Sequence, residues 1–370
     1  MSHTTREGSN RMAAFTILDV ISDLRKEDPE LTFLAAGEPI SAGKPTEFEL
    51  VMWNGNPRFV PSEALVTSRA IFGEELIIDP KRGRPFMYRG QTKRYPLCFS
   101  VLYRQAQRDE WHIKALLGLE RVRVAELELL LRAHPFTAVA SRHGAWVDWH
   151  GLAQHYGIPT SLLDLTTDMR IAAFFAVAQW NNDSQSFAPM TNGTGVFYRF
   201  DWTAFREGYS KFFNPVGFGP GLRPARQHAW TFRLQPFINF EDVPHVSAIE
   251  FEHSPEASAQ VFKWFNNGQW LMPPDCLVNL VAKVRDLPFV TVEAVRHAAK
   301  QDGQSEEQLE TSVEHAMHFL HDVLGTEFLD DYRLEIEDAD IAIANQQANQ
   351  LDELIHKMSK GFRLVRSRKW

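Results

Sequence analysis

"GLAQHYGIPTSLLDLTTDMRIAAFFAVAQW", Gly151 to Trp180, sets a polar, turn-rich segment directly before a run of small and aromatic apolar residues. Trp149–Tyr156 reads as a helix that the Gly157–Pro159 turn stops, and Asp168–Trp180 as a second helix. Ile171, Ala172, Phe174, Phe175, Val177 and Ala178 give that second helix an almost wholly apolar face. Gln154, His155, Tyr156, Thr160, Ser161, Asp164, Thr166 and Thr167 crowd hydrogen-bonding groups next to it. A cap made by Asp164, Thr166 or Thr167 accounts for one or two of them, because short polar side chains accept from the free N–H groups of a helix start. It leaves His155-Tyr156-Gly157 without a reason. A helix start also holds anions. The apolar helix is therefore read as an anchor and the polar turn as the edge of a cleft.

Around this stretch the spacing predicts a helix over Phe15–Lys26, a strand at Phe48–Trp53 ended by the Asn-Gly-Asn-Pro turn, and a basic loop at Asp79–Pro85. A short strand at Phe86–Tyr88 and a long helix at Leu116–Ala133 follow. Asn181–Asn192 reads as a polar loop and Gly195–Phe200 as a strand. Gly208–Pro224 is irregular and longer than a routine connector. Arg226–Leu234, Val246–Phe251 and Leu277–Val284 read as strands, with a helix over Pro255–Phe265. From Val290 the chain turns helical and rich in Glu, Gln and His, and it ends in a basic segment, His356–Trp370. The expected class is α+β, a mixed or antiparallel sheet core with flanking helices and a C-terminal helical region. The expected units are a small N-terminal α/β segment over 1–79, a core domain over 80–289 and a helical appendage over 290–370.

The 370 residues carry 44% hydrophobic and 23% charged side chains, the balance of an ordinary folded protein. The net charge of −8 repels duplex phosphate on average, so nonspecific nucleic-acid binding is not expected. Two distant cysteines, Cys98 and Cys276, support neither a zinc ribbon nor a disulfide framework. The first dozen residues read as a disordered start without a leader, and no run reaches the length of a membrane span. The expectation is a cytoplasmic protein with no membrane partner.

Two more islands carry chemistry. In Tyr88-Arg89-Gly90-Gln91 a strand ends on an Arg, whose guanidinium fork suits phosphate or carboxylate, followed by a Gly that admits a close neighbour. An Arg pinning its own loop through a buried carboxylate is the competing reading. Arg226-Gln227-His228 opens a strand after the long loop. His315, His318 and His321 recur every third residue, but the pattern lacks the HExxH arrangement, so no metal site is expected. Gly-x-Gly-x-x-Gly, the P-loop pattern and Gly-x-Ser-x-Gly are absent.

"YRGQ…YPLCFSVLYR", "QHYGIPTSLLDLTTDMRIAAFFA" and "ARQHAWTF" together resemble the FRG domain, over about residues 80–285. The family's Phe-Arg-Gly appears as Tyr88-Arg89-Gly90. Its usual QHYG-x-PTRLLDWT differs here at Ser161 and Leu165, and Ala229 and Trp230 blur the third motif. The resemblance implies a protein of the bacterial or phage-related kind and leaves the biochemistry open.

The order of motifs is also similar to that of ADP-ribosyltransferases, which implies a split sheet and NAD as substrate. Arg89 matches their early Arg or His, Asp164-Leu165-Thr166 before Ala172–Ala176 the second strand and helix, and Gln227 the later Glu or Gln. The resemblance makes Arg89, His155, Thr166 and Gln227 the catalytic candidates. Tyr88, Gly90, Gln91, Tyr156, Thr160, Asp164 and Arg226 become dinucleotide-binding candidates. Arg89 would hold a ribose or phosphate, Thr166 brace the site, Tyr156 stack on nicotinamide and Gln227 bond the ribose 2′-hydroxyl. Gln227 cannot take a proton, so His155, Asp164 or His228 would be the base unless the acceptor needs none.

The expected function is thus an ADP-ribosyltransferase-like transfer from NAD to a macromolecule or nucleotide acceptor, without a metal, in a toxin or anti-phage defence effector. The alternative is a non-catalytic module that senses a nucleotide or a phage component. The C-terminal helices are the expected means of any self-association.

Overall fold

The computed structural model describes residues 14–27, 48–53, 56–61, 86–106, 109–142, 146–181, 186–201, 212–216, 221–273, 275 and 277–358. The expected disordered start, the Asn54–Gly55 turn, the Asp79–Pro85 loop, Cys276, part of the Gly208–Pro224 stretch and the basic segment from residue 359 lie outside them.

The elements run α1 (Ile17–Glu27), β1 (Phe48–Trp53), β2 (Asn56–Pro61), β3 (Phe86–Gln91), α2 (Val101–Gln105), α3 (Glu110–Leu131), α4 (Pro135–Arg142) and α5 (Trp149–His155). Then come β4 (Leu162–Thr166), α6 (Met169–Val177), β5 (Ala178–Asn181), β6 (Ser186–Pro189), β7 (Thr194–Asp201), β8 (Phe213–Pro215), α7 (Arg223–Arg226) and β9 (Ala229–Arg233). The chain continues with β10 (Val246–Glu252), α8 (Pro255–Trp264), α9 (Leu277–Arg285), β11 (Phe289–Thr291), α10 (Val292–Gln301), α11 (Glu306–Leu324), β12 (Glu327–Leu329) and α12 (Asp338–Met358). The class is α+β, as expected.

Six strands form one antiparallel sheet in the order β10-β7-β3-β4-β9-β8. Successive residues of a strand face opposite sides, and both sides are buried. Met87, Leu163, Leu165, Tyr198, Phe200, Trp230 and Phe232 enter one cluster, covered by Cys98–Tyr103 and Phe240. Tyr88 and Phe197 enter a second, covered by α6, α8 and α1. Ile17, Val20, Ile21 and Leu24 of α1 belong to that second cluster, so this helix packs into the core of the sheet. The helix α6 lies so close to β3 that a Cβ on Gly90 would fall 1.9 Å from the Ala172 carbonyl oxygen.

Side-chain caps fix where helices start: Asp109, Asp148, Asp168, Ser254 and Thr291 each accept from a backbone N–H in the first turn of α3, α5, α6, α8 and α10. A third cluster joins α3, α5 and α9, and a fourth joins α3 with α10 and α11. The C-terminal helices α10 and α11 therefore share a core with α3.

Three expectations about elements need correction. Leu277–Val284 is the helix α9, not a strand. Leu277, Leu280, Val281 and Val284 are its buried residues, a helical spacing that the β-branched composition disguised. The helix expected over Asp168–Trp180 ends at Val177, and Ala178–Asn181 pairs with Ser186–Pro189 as a hairpin inside the supposed polar loop. Arg226 ends α7 and Gln227-His228 is the turn after it, with His228 at φ 45, so the strand begins only at Ala229.

Candidate active site

The pairing of β3 with β4 rests on Tyr88 opposite Thr166. Toward Gln91 and Leu162 the two strands are not paired, although β3 stays paired with β7 and β4 with β9. Arg89 stands at this opening. Its Nη1 donates to the Asp164 carbonyl oxygen at 2.8 Å, and its Nε is buried without a partner among the described residues. Arg89 shares its face of the sheet with its register partner Tyr198, whereas the Asp164 side chain alternates to the opposite face from Leu163 and Leu165. The two side chains therefore approach the open ladder from opposite sides.

Behind Asp164 runs a chain of hydrogen bonds. Its Oδ2 accepts from Gln154 Nε2 at 3.2 Å, and Gln154 Oε1 accepts a short bond from the Thr160 hydroxyl. Its Oδ1 lies 3.6 Å from His155 Nε2, yet neither atom has a hydrogen-bond partner among the described residues and both are buried. His155 Nδ1 bonds Gln227 Oε1 at 3.0 Å, while Gln227 Nε2 donates to the Leu271 carbonyl at 3.0 Å. The second bond fixes the carboxamide orientation, so Nδ1 carries the proton toward Gln227. Nε2 can then satisfy Oδ1 only when the ring holds its second proton. Buried, facing and unbonded polar atoms of this kind are uncommon away from functional sites. Thr166 braces the far end, its hydroxyl donating to the Gln227 carbonyl at 2.8 Å. The Asp164 side chain is 40% exposed, the His155 side chain 4%.

The structure thus brings Arg89, Gln154, His155, Thr160, Asp164, Thr166 and Gln227 into one linked group. The other candidates stand apart from it. Gly90 is occupied by α6 rather than open to a ligand. Tyr88 is buried against Phe197, with ring centroids 5.7 Å apart. Gln91 is buried with its carboxamide oxygen unpartnered. Tyr156 donates its hydroxyl to Asp275 Oδ2 at 2.5 Å under the Arg223 guanidinium, so its ring is not free to stack on a ligand. Burial first, and then the Asp275 charge, raise its pKa well above the usual phenol value. Arg226 donates to the Trp270 carbonyl at 3.1 Å. His228 lies 3.9 Å from Asp168, whose carboxylate is held by Arg170.

Sequence reasoning passed over Arg104, on α2. Removal from water first, and the like charge of Arg89 next, lower its pKa, although the residue as a whole is exposed. Its only trace in the sequence is the end of "YPLCFSVLYR", where one Arg among ordinary helix residues carries no signal. Among the described residues, no group of three His, Cys, Asp or Glu side chains is placed to hold a metal ion. His321, read as one of three in a row, bonds the Thr326 carbonyl through Nδ1 at 3.2 Å. No helix among the described residues is long and apolar enough to cross a membrane.

Compared with family models, residues 84–185 match the FRG domain, and the chain therefore carries an FRG domain. The match takes in β3, α2 to α6, β4 and hence Arg89, Arg104, His155 and Asp164. Gln227 and β9 lie beyond it. Neither the curated proteins nor the solved structures gave a match.

Proposed function

We propose that the FRG domain of this chain is an ADP-ribosyltransferase-like site that binds NAD at the open ladder between β3 and β4 and transfers its ADP-ribosyl group. The observation that carries this reading is the opening itself. Where the strands part, a guanidinium whose Nε is unsatisfied among the described residues and a half-exposed carboxylate side chain meet the opening from its two sides. Arg89 and Arg104 supply the positive field for the pyrophosphate. Asp164 is the only carboxylate of the linked group and lies where positive charge would grow on the ribose.

In the reaction the bond between ribose C1′ and the nicotinamide nitrogen breaks, and its electron pair leaves with nicotinamide. The ribose passes through an oxocarbenium-like state that a nearby carboxylate stabilises. The acceptor attacks C1′, and its proton passes to Asp164. Gln154 holds that carboxylate through Oδ2, His155 faces its Oδ1, and Gln227 holds His155 through Nδ1. Gln227, closed by two bonds of its own, has no free group for the ribose hydroxyl. That closure favours a second reading, a site that holds the dinucleotide without cleaving it.

One experiment separates the two. Full-length protein is incubated with NAD, nicotinamide release is followed, and NAD binding is measured by calorimetry. Release that disappears in Arg89→Ala and falls roughly 100-fold or more in Asp164→Asn supports transfer. Binding without release supports the second reading. Neither binding nor release overturns both.

A further inference from the structure

We propose that a groove just past the C-terminal end of β3 binds a nucleoside monophosphate, the base stacked on Trp180 and the phosphate on Lys93. The groove has a volume of about 540 Å³ and lies between the residues that follow β3 and the β5–β6 hairpin, with Thr92, Lys93, Tyr95, Gln179, Trp180 and Asn192 among its walls. None of these residues belongs to the linked group at Arg89 and Asp164. Thr92 follows Arg89 by three residues of extended chain, ~10 Å. The inference rests on other residues than the NAD reading does.

Three features point to a ligand with one planar ring and one anionic group. Trp180 is 43% exposed, and Phe187 meets it edge-on, ring centroids 4.9 Å apart at 70°. This neighbour fixes the indole and leaves aromatic surface available for stacking. Lys93 sits 5.0 Å from the Tyr95 ring centroid and has no carboxylate within ion-pair distance among the described residues. The adjacent Arg94, by contrast, is fully engaged by Glu241 and Glu250. The walls are also held in place before any ligand arrives: His253 bonds the Thr92 carbonyl through Nε2 at 2.8 Å, and its backbone N–H donates to the Gly193 carbonyl at 2.9 Å. Preorganised walls reduce the entropy lost on binding.

Size and charge narrow the class. Pockets of roughly 300–1,000 Å³ take small molecules, and the groove has one lysine for one phosphate. The net charge of −8 opposes a long polyanion. Thr92, Gln179 and Asn192 add hydroxyl and amide groups able to bond the edge of a base or a sugar.

The test is calorimetry on the full chain with AMP, adenosine and inorganic phosphate. AMP is expected to bind, adenosine more weakly and phosphate alone most weakly. Trp180→Ala should weaken AMP roughly 5- to 100-fold, the range for losing one base–aromatic stack. Trp180→Phe should keep most of the affinity, and Lys93→Gln should reduce AMP to the level of adenosine. Arg89→Ala should remove any NAD turnover while keeping the AMP binding that Trp180→Ala weakens, so the two proposals fail separately. The groove assignment is overturned if AMP does not bind the unaltered protein, if Trp180→Ala has no effect, or if phosphate binds as tightly as AMP.

Discussion

Glu126 and Asp164 are both carboxylates held by partners from other elements, and their surroundings differ in kind. Glu126 on α3 receives the Thr291 amide at 3.2 Å and the Thr291 hydroxyl at 2.9 Å, and it is buried. Thr291 in turn caps α10, so this contact ties the C-terminal helices to α3. Its pKa is raised, because desolvation outweighs the Thr291 bonds and the Arg123 charge. Asp164 on β4 has a side chain 40% exposed, leaves Oδ1 unbonded beside His155 among the described residues and lends its backbone oxygen to Arg89. A satisfied, sealed carboxylate holds elements together. A half-exposed carboxylate with unfinished bonds, on a strand whose backbone oxygen Arg89 holds, has capacity left for a ligand.

The contrast can be broken or sharpened experimentally. The largest effect is expected on the sealed side of β3. Gly90→Ala puts a Cβ 1.9 Å from the Ala172 oxygen and 2.6 Å from the Ala176 nitrogen. Both are backbone atoms that cannot swing aside, so a loss of roughly 4 kcal/mol or more, or failure to fold, is expected in urea unfolding. Glu126→Ala should lose about 2–4 kcal/mol by emptying a buried site and leaving the Thr291 donors unpaired. Glu126→Gln, which keeps one acceptor, should lose less. If Glu126→Ala unfolds at the same urea concentration as the unaltered protein, the sealed carboxylate is not a tie.

The third effect is one of pH. His134 is buried, its Nδ1 accepts from the Phe136 N–H at 3.3 Å, and desolvation holds its pKa down at about 4. The folded state thus keeps the ring neutral where the unfolded chain, with an ordinary value of about 6.5, already takes up a proton. The stability this contributes is complete above pH ~6.5 and declines as pH falls toward about 4. Replacing His134 by Gln should flatten that part of the stability profile between pH 7 and pH 4. Smaller again is Thr166→Val, which deletes the bond to the Gln227 carbonyl and should cost about 1 kcal/mol. The smallest change in stability is expected at Asp164→Asn, within ~0.5 kcal/mol, although the same substitution is expected to give the large loss of NAD turnover. A destabilised Asp164→Asn protein would erase the distinction between the two carboxylates.

Parts of this architecture are written locally. The apolar spacing from Ile171 to Val177 forces a helix, the Asp168 side chain starts it, and Gly157 at φ 92 supplies the turn before β4. The candidate group was legible in part for the same reason: Gln154, His155, Thr160, Asp164 and Thr166 lie within thirteen residues of one another and form one helix–turn–strand unit. Arg104 was not legible, because nothing in its own segment distinguishes it from a surface helix residue. Trp180 was misread as the end of a helix, because Ala178 and Trp180 prolong the apolar run of α6 and only pairing with Phe187 across the hairpin reveals the strand.

By itself the sequence determined the α+β class, the FRG motifs and the polar turn set before an apolar helix, since these follow from periodicity and turn chemistry over a few residues. Tertiary structure alone decided that β3 and β4 part beyond Tyr88 and Thr166, that Gln227 turns its carboxamide inward to His155, and that α9 is a helix packed on α3 and α5. Those outcomes depend on which surfaces meet across 72 to 161 residues of chain. Burial and hydrogen-bond satisfaction are settled there by the whole sheet and its covering helices, not by any one segment.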